Sequence, residues 1–325
     1  MEVIHLDFKN ILIKKKDNFP SIIELQTQSI CNANCIICPY EEISKKYEHK
    51  IMSNELIEKI IEECDKNSEK IKRIIPYFNN EPSLDKRILQ ILKRIKKKKK
   101  HFIELSTNMS GFSNNDLLKI IEEELVDELR ISIFASNQKD YKKIMPNLNF
   151  ESTIKKTKFL IENNKKIDIK IIMILSDVID IKKNLKEMKE IFSEKYIETF
   201  GFLDRAGSVK VKSNKLIEEL FQTRGCSLNR PYERINILAT GEVVLCSNDW
   251  DREVNIGNVK ESSLYDVWNS NIFEKHRNYI NGHIEMPDKY ICRKCKLLLL
   301  EQEKKIILNF LGDDFMTLTD EVKEF

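Results

Sequence analysis

The side chains best suited to chemistry in this sequence are its cysteines. The chain has 8 cysteines, and seven of them fall into two groups that lie far apart in the sequence. The first group contains Cys31, Cys35 and Cys38, and the second contains Cys226, Cys246, Cys292 and Cys295. Thiolates at this density suit soft metal centres. The sequence therefore predicts two metal sites, and it leaves Cys64 over as a buried structural thiol.

The first group has the spacing C-x3-C-x2-C, in the segment Cys31-Asn-Ala-Asn-Cys35-Ile-Ile-Cys38. Three thiolates so close in sequence can face one point from a single loop. Structural zinc sites usually take four ligands, often from C-x2-C pairs, so three ligands leave one coordination position empty. On a cubane iron–sulfur cluster, that position is an iron open to a non-protein ligand. The alternative is a zinc or structural cluster that takes a distant fourth cysteine.

The second group supplies four thiolates, which can close a metal site completely. Cys292 and Cys295 form a C-x2-C pair, and Cys246 follows Gly241 after a short hairpin-like segment. Four cysteines complete the coordination of zinc and of an iron–sulfur cluster alike. The spacing by itself does not separate these two possibilities.

The elements that must position these cysteines alternate between short apolar runs and amphipathic stretches from about residue 20 to 205. Each of the first five apolar runs precedes a segment in which apolar residues recur at intervals of three and four, as in a helix. The predicted strands are Ile22–Leu25, Ile71–Phe78, Phe102–Leu105, Leu129–Phe134, Ile167–Leu175 and Tyr196–Leu203. The predicted helices are Ser53–Lys66, Leu84–Lys100, Asn115–Glu124, Phe150–Asn163 and Ile181–Phe192.

This alternation predicts an α/β fold whose parallel strands are joined by right-handed crossovers. The six predicted strands are too few for a closed eight-stranded barrel. We therefore expect a partial (β/α)6 TIM-like barrel over residues 1–205. Barrels of this kind carry their chemistry at the carboxyl ends of the strands.

The pattern changes after the barrel, and residues 206–300 are predicted to form a small C-terminal α+β domain. This segment carries turns, the two β-like runs Ile235–Leu238 and Val243–Leu245, and one helix over Ser263–Asn278. Residues 301–325 are predicted to form a C-terminal helix and tail.

Composition and charge exclude several classes of protein. The 325 residues correspond to about two domains at roughly 150 residues each. Lys and Arg number 55 against 52 Asp and Glu, so the net charge of +3 provides no broad basic surface for nucleic acid. No apolar run approaches the roughly 18 residues of a membrane span, and the start of the sequence lacks a signal-peptide pattern. We expect a cytoplasmic protein with reduced cysteines.

The C-x3-C-x2-C motif after the first strand of a β/α repeat resembles that of the radical S-adenosylmethionine (SAM) superfamily. The resemblance implies that Cys31, Cys35 and Cys38 hold a [4Fe–4S] cluster whose open iron binds the amino and carboxylate groups of SAM. One electron then cleaves SAM to methionine and a 5′-deoxyadenosyl radical, which abstracts hydrogen from a substrate. The residue before the third cysteine is usually aromatic in that family and is Ile37 here, so Tyr40 is the candidate for the contact with adenine.

Other strand ends carry motifs that resemble the SAM-binding motifs of this superfamily. Asn79-Asn80-Glu81-Pro82 resembles Gly-Gly-Glu-Pro, whose backbone and acid hold the SAM amino group. Ser106-Thr107-Asn108 resembles the Thr-Asn-Gly that approaches the SAM carboxylate and ribose. Ser132 matches a common ribose contact, and Asp204-Arg205-Ala-Gly resembles a subgroup motif whose Arg grips a carboxylate. The alternatives are an ordinary turn for Asn79–Pro82, a helix cap for Ser106–Asn108, a polar strand residue for Ser132 and a surface salt bridge for Arg205.

The sequence around the second cysteine group resembles the SPASM/twitch extension of radical SAM enzymes. The matching segments are Gly241-Glu-Val-Val-Leu-Cys246, Ile256-Gly-Asn-Val259, Ser263-Leu-Tyr-Asp-Val-Trp268-Asn, Arg277 and the C-x2-C pair. The full SPASM form needs three more cysteines after this pair, and none follows Cys295. The resemblance therefore implies the shorter twitch form, in which one auxiliary [4Fe–4S] cluster is ligated by Cys226, Cys246, Cys292 and Cys295.

The resemblance extends to the twitch dehydrogenases of aminoglycoside biosynthesis, and it implies oxidation of a secondary alcohol on a sugar, cyclitol or similar small molecule. Arg205 would bind SAM or substrate, and the auxiliary cluster would take the second electron. Asp249 and Asp251 follow Cys246 closely, and either could take the hydroxyl proton; the alternative is that they form a simple turn. No spare cysteine is placed to return a hydrogen atom, which fits an oxidation. The expected partner is a one-electron donor such as flavodoxin or ferredoxin, with no nucleic acid and no membrane.

Two other functions stay open on the sequence. The first is a peptide- or protein-modifying radical SAM maturase. Such enzymes usually carry a full SPASM domain, or a peptide-recognition module before the first cysteines, and Cys31 comes too early for that module. The second is a non-catalytic iron–sulfur or zinc-binding protein, which would not cleave SAM.

Overall fold

The structure is a computed structural model that describes residues 16–98, 100–209, 223–295 and 297–300. Within this range the first part of the chain alternates strand and helix, as the sequence predicts. The barrel strands are β1 (Ile22–Leu25), β2 (Arg73–Ile75), β3 (Glu104–Thr107), β4 (Glu128–Ser132), β5 (Asp168–Leu175) and β6 (Ile197–Gly201). The helix and tail predicted for residues 301–325 lie outside the described residues.

The pairings among the barrel strands are parallel. β1 pairs with β2, and β3, β4, β5 and β6 form one sheet in chain order. A parallel bridge between Ile74 and Ile103 connects the β2 and β3 segments. In the described part of the chain β6 does not pair with β1, so the barrel is open. The expected α/β fold with a partial TIM-like barrel is confirmed.

The barrel helices pack on the sheet through faces that their apolar spacing defines. They are α1 (Tyr40–Ser44), α2 (Asn54–Lys66), α3 (Ile88–Lys96), α4 (Asn114–Glu122), α5 (Gln138–Ile144), α6 (Phe150–Asn163) and α7 (Ile181–Phe192). Ser53 caps α2 by accepting a hydrogen bond from the Leu56 amide. The buried apolar residues of α2 include Leu56, Ile57, Ile60 and Ile61. None of the described helices is both long and apolar enough to cross a membrane.

The C-terminal unit consists of short elements that extend the barrel sheet. Its elements are β7 (Thr223–Cys226), α8 (Arg230–Glu233), β8 (Arg234–Ile237), β9 (Glu242–Val244), β10 (Asn255–Asn258), α9 (Leu264–Trp268), α10 (Asn271–Ile280) and β11 (Leu298–Leu300). β8 pairs in parallel with β1, and this gives a sheet of order β10-β9-β8-β1-β2. β7 and β11 form a separate antiparallel pair. The two units therefore share one sheet.

The single helix predicted over Ser263–Asn278 is wrong, because the structure divides it into α9 and α10. Asn269 ends α9, and its amide donates back to the carbonyls of the last turn. Ser270 then accepts a hydrogen bond from the Phe273 amide and caps α10. A serine that caps a new helix resembles, in sequence, a polar residue on the exposed face of one long helix.

The helix predicted over Leu84–Lys100 is shorter in the structure. Pro82–Leu84 forms a 3₁₀ turn, and α3 begins only at Ile88. Asp85 lies between the two in an extended conformation, so the chain bends before the helix starts. This turn brings Glu81 to the end of β2, which matters for the site.

Deeper in the barrel, on the amino-terminal side of Thr107, buried ion pairs fill the interior. Glu104 accepts hydrogen bonds from Arg73 and Tyr77, and Arg130 Nε lies 3.7 Å from its carboxylate. Burial by itself would raise the pKa of Glu104, but Arg130 and Arg73 hold this pKa below its usual value. These side chains fill the interior of the barrel, so a site can form only at the carboxyl ends of the strands.

Candidate active site

The first cysteine loop lies at the carboxyl end of β1, and hydrogen bonds hold it against other elements. The Cys31 amide donates to the Tyr40 hydroxyl at 2.8 Å, which ties the loop to α1. Asn108 Nδ2 donates to Asn32 Oδ1 at 3.1 Å, which ties the loop to the end of β3. The loop is therefore fixed at the edge of the barrel where partial barrels carry their chemistry.

The three thiols of this loop lie close enough to affect one another's ionisation. Burial raises the pKa of Cys31 to about 12, and Glu81 and Cys38 add to the rise. Burial likewise raises the pKa of Cys35 well above its usual value, with added rises from Cys38 and Cys31. Thiolates gathered at one buried point need a cationic partner, and metal ligation is what favours their deprotonated form. The donor set fits an iron–sulfur cluster with three protein ligands.

The turn after β2 adopts a backbone conformation that its asparagines permit. Asn79 has a φ of 55°, in the left-handed region that favours glycine and that asparagine tolerates. Asn80 Oδ1 accepts a hydrogen bond from the Phe78 amide at 2.8 Å. The buried Nδ2 of Asn80 has no hydrogen-bond partner among the described residues. Because buried donors are normally paired, this amide is suited to bind a ligand oxygen.

Glu81 joins the ends of β2 and β3 through its carboxylate, which is 4% exposed. It accepts hydrogen bonds from Thr107 Oγ1 at 2.5 Å, from the Asn108 amide at 2.8 Å and from the Ser83 amide at 3.0 Å. Burial raises the pKa of Glu81, and these donors oppose the rise. The acid therefore positions two turns of the site, and its contact with the SAM amino group stays a prediction.

The remaining predicted SAM contacts lie at the same edge of the barrel. Ser106 belongs to β3 and Ser132 ends β4, and both are half-buried. Arg205 follows β6 with a φ of 54°. Burial raises the pKa of Cys38, and the charge of Arg205 opposes this rise. Arg205 therefore lies near the first cysteine loop, where a cation can face a carboxylate.

A pocket opens where the first cysteine loop faces the C-terminal unit. Its lining includes Gln26, Ser29, Tyr40, Tyr47, His49, Asn79, Asp249, Trp250 and Arg252. The Tyr40 ring packs with Trp250 and the partly buried Cys31 and Cys38. Trp250 is 7% exposed, and its Nε1 has no hydrogen-bond partner among the described residues. Aromatic faces combined with a few polar groups are the kind of lining that small-molecule sites have, but the cavity volume of about 30 Å³ is close to that of one water molecule.

The two predicted proton acceptors both bind other parts of the protein. Asp249 is buried, and its oxygens accept hydrogen bonds from the amides of Glu253 at 2.8 Å and Val254 at 3.0 Å. Burial raises the pKa of Asp249 to about 6. Asp251 forms an ion pair with Lys46, and its side chain is 34% exposed. Asp251 is therefore the more accessible of the two, and its role as a base stays a prediction.

The second cysteine group converges in the C-terminal unit. Burial raises the pKa of Cys246 to about 12 and that of Cys295 to about 11, and Cys226 adds to both rises. Burial and the other three thiols raise the pKa of Cys292 well above its usual value. The four thiols thus share one environment. Nevertheless, no group of three or more His, Cys, Asp or Glu side chains in the described part of the chain is arranged to hold a single metal ion.

Two polar residues beside this group were not identified from the sequence. Asn248 Nδ2 donates to Cys295 Sγ at 3.8 Å. Arg230 opposes the rise that burial causes in the pKa of Cys246 and Cys295. The available signal was nearness in sequence, since Arg230 and Asn248 each follow a cysteine of the group within a few residues. Nearness alone does not show which way a side chain points.

Two family models match the chain. The model described as the radical SAM superfamily matches residues 25–188. The model described as the SPASM iron–sulfur cluster-binding domain matches residues 226–296. The first match contains the first cysteine group, and the second contains all four cysteines of the second group. No curated protein matches the sequence.

Solved structures share this fold at low sequence identity. BtrN in complex with AdoMet and 2-DOIA has a TM-score of 0.58 at 18% identity, over 86% of this chain and 94% of that chain. Streptococcus suis SuiB bound to precursor peptide SuiA has a TM-score of 0.66 at 14% identity, over 81% of this chain and 67% of that chain. Native anSMEcpe with bound AdoMet has a TM-score of 0.61 at 15% identity, over 93% of this chain and 99% of that chain. At these identities the likeness shows the fold alone.

Proposed function

Because this chain belongs to the radical SAM superfamily and carries a SPASM domain, we propose that it oxidises a secondary alcohol of a sugar, cyclitol or similar small molecule. The family supplies SAM and a [4Fe–4S] cluster as cofactors, and the SPASM domain implies an auxiliary iron–sulfur cluster. The observation that carries the proposal is the second group of four converging thiols. A two-electron oxidation needs an acceptor for its second electron, and a fully ligated cluster can serve as one.

The residues at the strand ends fit the first cluster and SAM. Cys31, Cys35 and Cys38 would ligate the cluster, Asn80 offers an unpaired amide donor, and Arg205 offers a nearby cation. When bound, SAM and the first cluster would supply the abstraction of a hydrogen atom from the carbinol carbon, and the auxiliary cluster would supply an acceptor for the second electron as the hydroxyl proton is lost. The products are a ketone, methionine and 5′-deoxyadenosine, so atoms and electrons balance.

We infer a single auxiliary cluster, as in the twitch form. Its ligands would be the four cysteines of the second group, because Cys64 is buried in α2. A cubane attaches each cysteine to a different iron and therefore spaces its ligands more widely than one zinc ion does. The other three thiols raise the pKa of Cys292, so the four lie close together. The match of the iron–sulfur cluster-binding model to residues 226–296 supports a cluster over zinc.

The lining of the pocket supports a small polar substrate. Tyr40, Tyr47 and Trp250 present aromatic faces that can pack against the CH groups of a ring, and Trp250 Nε1 is available to donate to a substrate oxygen. The Arg252 guanidinium carbon lies 3.9 Å from the Tyr47 ring centroid and adds a cation at the rim. We propose that Asp249 or Asp251 accepts the hydroxyl proton: Asp249 lines the pocket, and Asp251 is the more exposed carboxylate.

Anaerobic reconstitution with iron, sulfide, dithionite and SAM tests the radical chemistry. The wild-type protein should release 5′-deoxyadenosine, and Cys35→Ala should not, because the first cluster then loses a ligand. Release by the wild type with flavodoxin or ferredoxin in place of dithionite would support such a partner. No release from a protein with a full complement of iron would overturn the proposal.

A panel of sugars and cyclitols tests the oxidation itself. We expect about one ketone per 5′-deoxyadenosine in the wild type. Cys226→Ala should keep SAM cleavage and lose ketone formation, since only the electron acceptor is removed. Cys64→Ala is the matched control and should retain both activities, because this thiol is buried in α2 and belongs to neither group.

A peptide-modifying activity is the second candidate. The SuiB structure, which has this fold, is bound to a precursor peptide. The same assay separates the two functions, because a ketone on a sugar or cyclitol supports the dehydrogenase. Turnover confined to peptides, detected as a mass change of the peptide, would contradict it.

A further inference from the structure

A buried arginine lies beside the second cysteine group. Arg230 is the first residue of α8 and is 9% exposed. The Asn229 amide donates to the Cys226 carbonyl at 2.9 Å, which places the start of α8 beside a cysteine of the group. In agreement with this position, the charge of Arg230 opposes the rise that burial causes in the pKa of Cys246 and Cys295. Its Nε and Nη1 atoms have no hydrogen-bond partner among the described residues. Two buried guanidinium nitrogens without partners are unfavourable, which indicates that they bind a group that the protein itself does not supply.

The short helix that carries Arg230 is anchored to α10. Arg277 Nε donates to the Pro231 carbonyl at 2.9 Å. The Tyr232 hydroxyl donates to the Arg277 carbonyl at 3.2 Å. These contacts fix the residues that follow Arg230, so the guanidinium is held beside the cysteines and away from solvent.

A second donor approaches the group from the segment after β9. Asn248 is buried, and its Nδ2 donates to Cys295 Sγ at 3.8 Å. The Asn248 Oδ1 atom has no partner among the described residues. Hydrogen bonds to the sulfurs and a nearby positive charge are both known to set the reduction potential of an iron–sulfur cluster. Both stabilise the reduced form, because that form carries more negative charge.

We propose that Arg230 and Asn248 are positioning residues that raise the reduction potential of the auxiliary cluster and so make it a better electron acceptor. The inference rests on the proposed function, which places an iron–sulfur cluster at the second cysteine group. Four thiolates concentrate negative charge in a buried site, and one guanidinium offsets part of it. The effect is electrostatic and does not require contact with the substrate.

The test is the midpoint potential of the auxiliary cluster, followed by EPR during an anaerobic redox titration of the full-length protein. The background variant isolates this cluster by removing the first group, with Cys31→Ala, Cys35→Ala and Cys38→Ala. Arg230→Met, Arg230→Gln and Asn248→Leu are added to it singly. Lys275→Met removes an exposed cation from α10 and is the matched control.

We expect the equilibrium constant for reduction to fall about tenfold or more in both Arg230 variants, which is a negative shift of about 59 mV for a one-electron couple. Asn248→Leu should give a smaller negative shift, and Lys275→Met should give none. An unchanged potential in an Arg230 variant that retains the cluster overturns the proposal. Loss of the cluster from both Arg230 variants, with or without loss of the fold, also overturns it, since Arg230 would then be structural.

This measurement needs no substrate, so it separates the inference from the proposed function. If the potential shifts as expected but no alcohol is oxidised, the inference stands and the proposed dehydrogenase fails. If the wild type oxidises an alcohol while the Arg230 variants leave the potential unchanged, the dehydrogenase stands and the inference fails.

Discussion

The Glu81 carboxylate accepts hydrogen bonds from several neighbouring residues of the protein. Thr107, Asn108 and Ser83 all donate to it, and the Glu81 amide donates to the Ile30 carbonyl at 2.9 Å, next to the first cysteine. One buried acid therefore connects the ends of β1, β2 and β3. These are the strand ends that carry the cysteine loop and the predicted SAM contacts, so the hydrogen bonds of one buried acid support the geometry of the whole site.

Glu81→Gln should weaken SAM binding and reduce stability. The amide replaces one acceptor oxygen with a donor, so a buried N–H or O–H of its neighbours loses its partner, at a cost of about 1–3 kcal/mol. Calorimetric binding of SAM to the reconstituted protein and denaturant unfolding measure the two effects. Glu122→Gln, at an exposed position of α4, is the control and should change neither. Wild-type SAM affinity in Glu81→Gln would show that the acid does not position the site.

At the level of elements, the turn after β2 and the loop after β3 approach each other closely at Gly111. The Gly111 amide donates to Ser83 Oγ at 3.0 Å. A Cβ atom at Gly111 would lie 2.3 Å from the Ser83 carbonyl oxygen, which is a backbone atom and cannot swing away. Ser83 belongs to the 3₁₀ turn that Glu81 begins. The absence of a side chain at Gly111 therefore lets the two loops meet at the site.

Gly111→Ala should push these loops apart. We expect a loss of about 1–3 kcal/mol of stability from overpacking, together with weaker SAM binding. Ser113→Ala is the matched control, because it removes the capping box of α4 two residues later without a clash. That control should lose about 1 kcal/mol of stability and keep its SAM affinity. Equal SAM affinity in both variants would contradict a role for the close approach.

The sequence predicted the elements that depend on local spacing. β1, α6 and α7 have the predicted bounds, because apolar periodicity and capping residues act over a few neighbouring positions. The break at Ser270 and the late start of α3 were missed, since a cap and a 3₁₀ turn differ from a helix by one or two hydrogen bonds. The cysteines of the site were identifiable by spacing, whereas the roles of Arg230 and Asn248 depend on how the segments after β7 and β9 converge on the second cysteine group.

At the level of the whole molecule, the barrel and the C-terminal unit share structure. β8 covers one edge of β1, and Ile23 and Ile235 are fully buried where the strands meet. α2 adds polar contacts: Lys59 Nζ donates to the Val259 carbonyl at 2.7 Å, and Glu63 accepts from the Leu264 amide at 2.7 Å. No local pattern in the sequence indicates this pairing, because β1 and β8 are about two hundred residues apart. The relative position of the two cysteine groups is therefore set by a continuous sheet.

A chain that ends at residue 209 should fail to fold as a soluble barrel. Without β8, β1 becomes an unpaired strand edge, which favours aggregation, and buried isoleucines become exposed at about 1.5–3 kcal/mol each. The control is the full-length chain in which the second cysteine group is replaced, with Cys226→Ala, Cys246→Ala, Cys292→Ala and Cys295→Ala. It should stay soluble, hold the first cluster and release 5′-deoxyadenosine, because the sheet is intact. Gel filtration, circular dichroism and SAM cleavage distinguish the two chains. A soluble truncated barrel that cleaves SAM would show that β8 is dispensable for the fold, and the C-terminal unit would then serve only its own cluster.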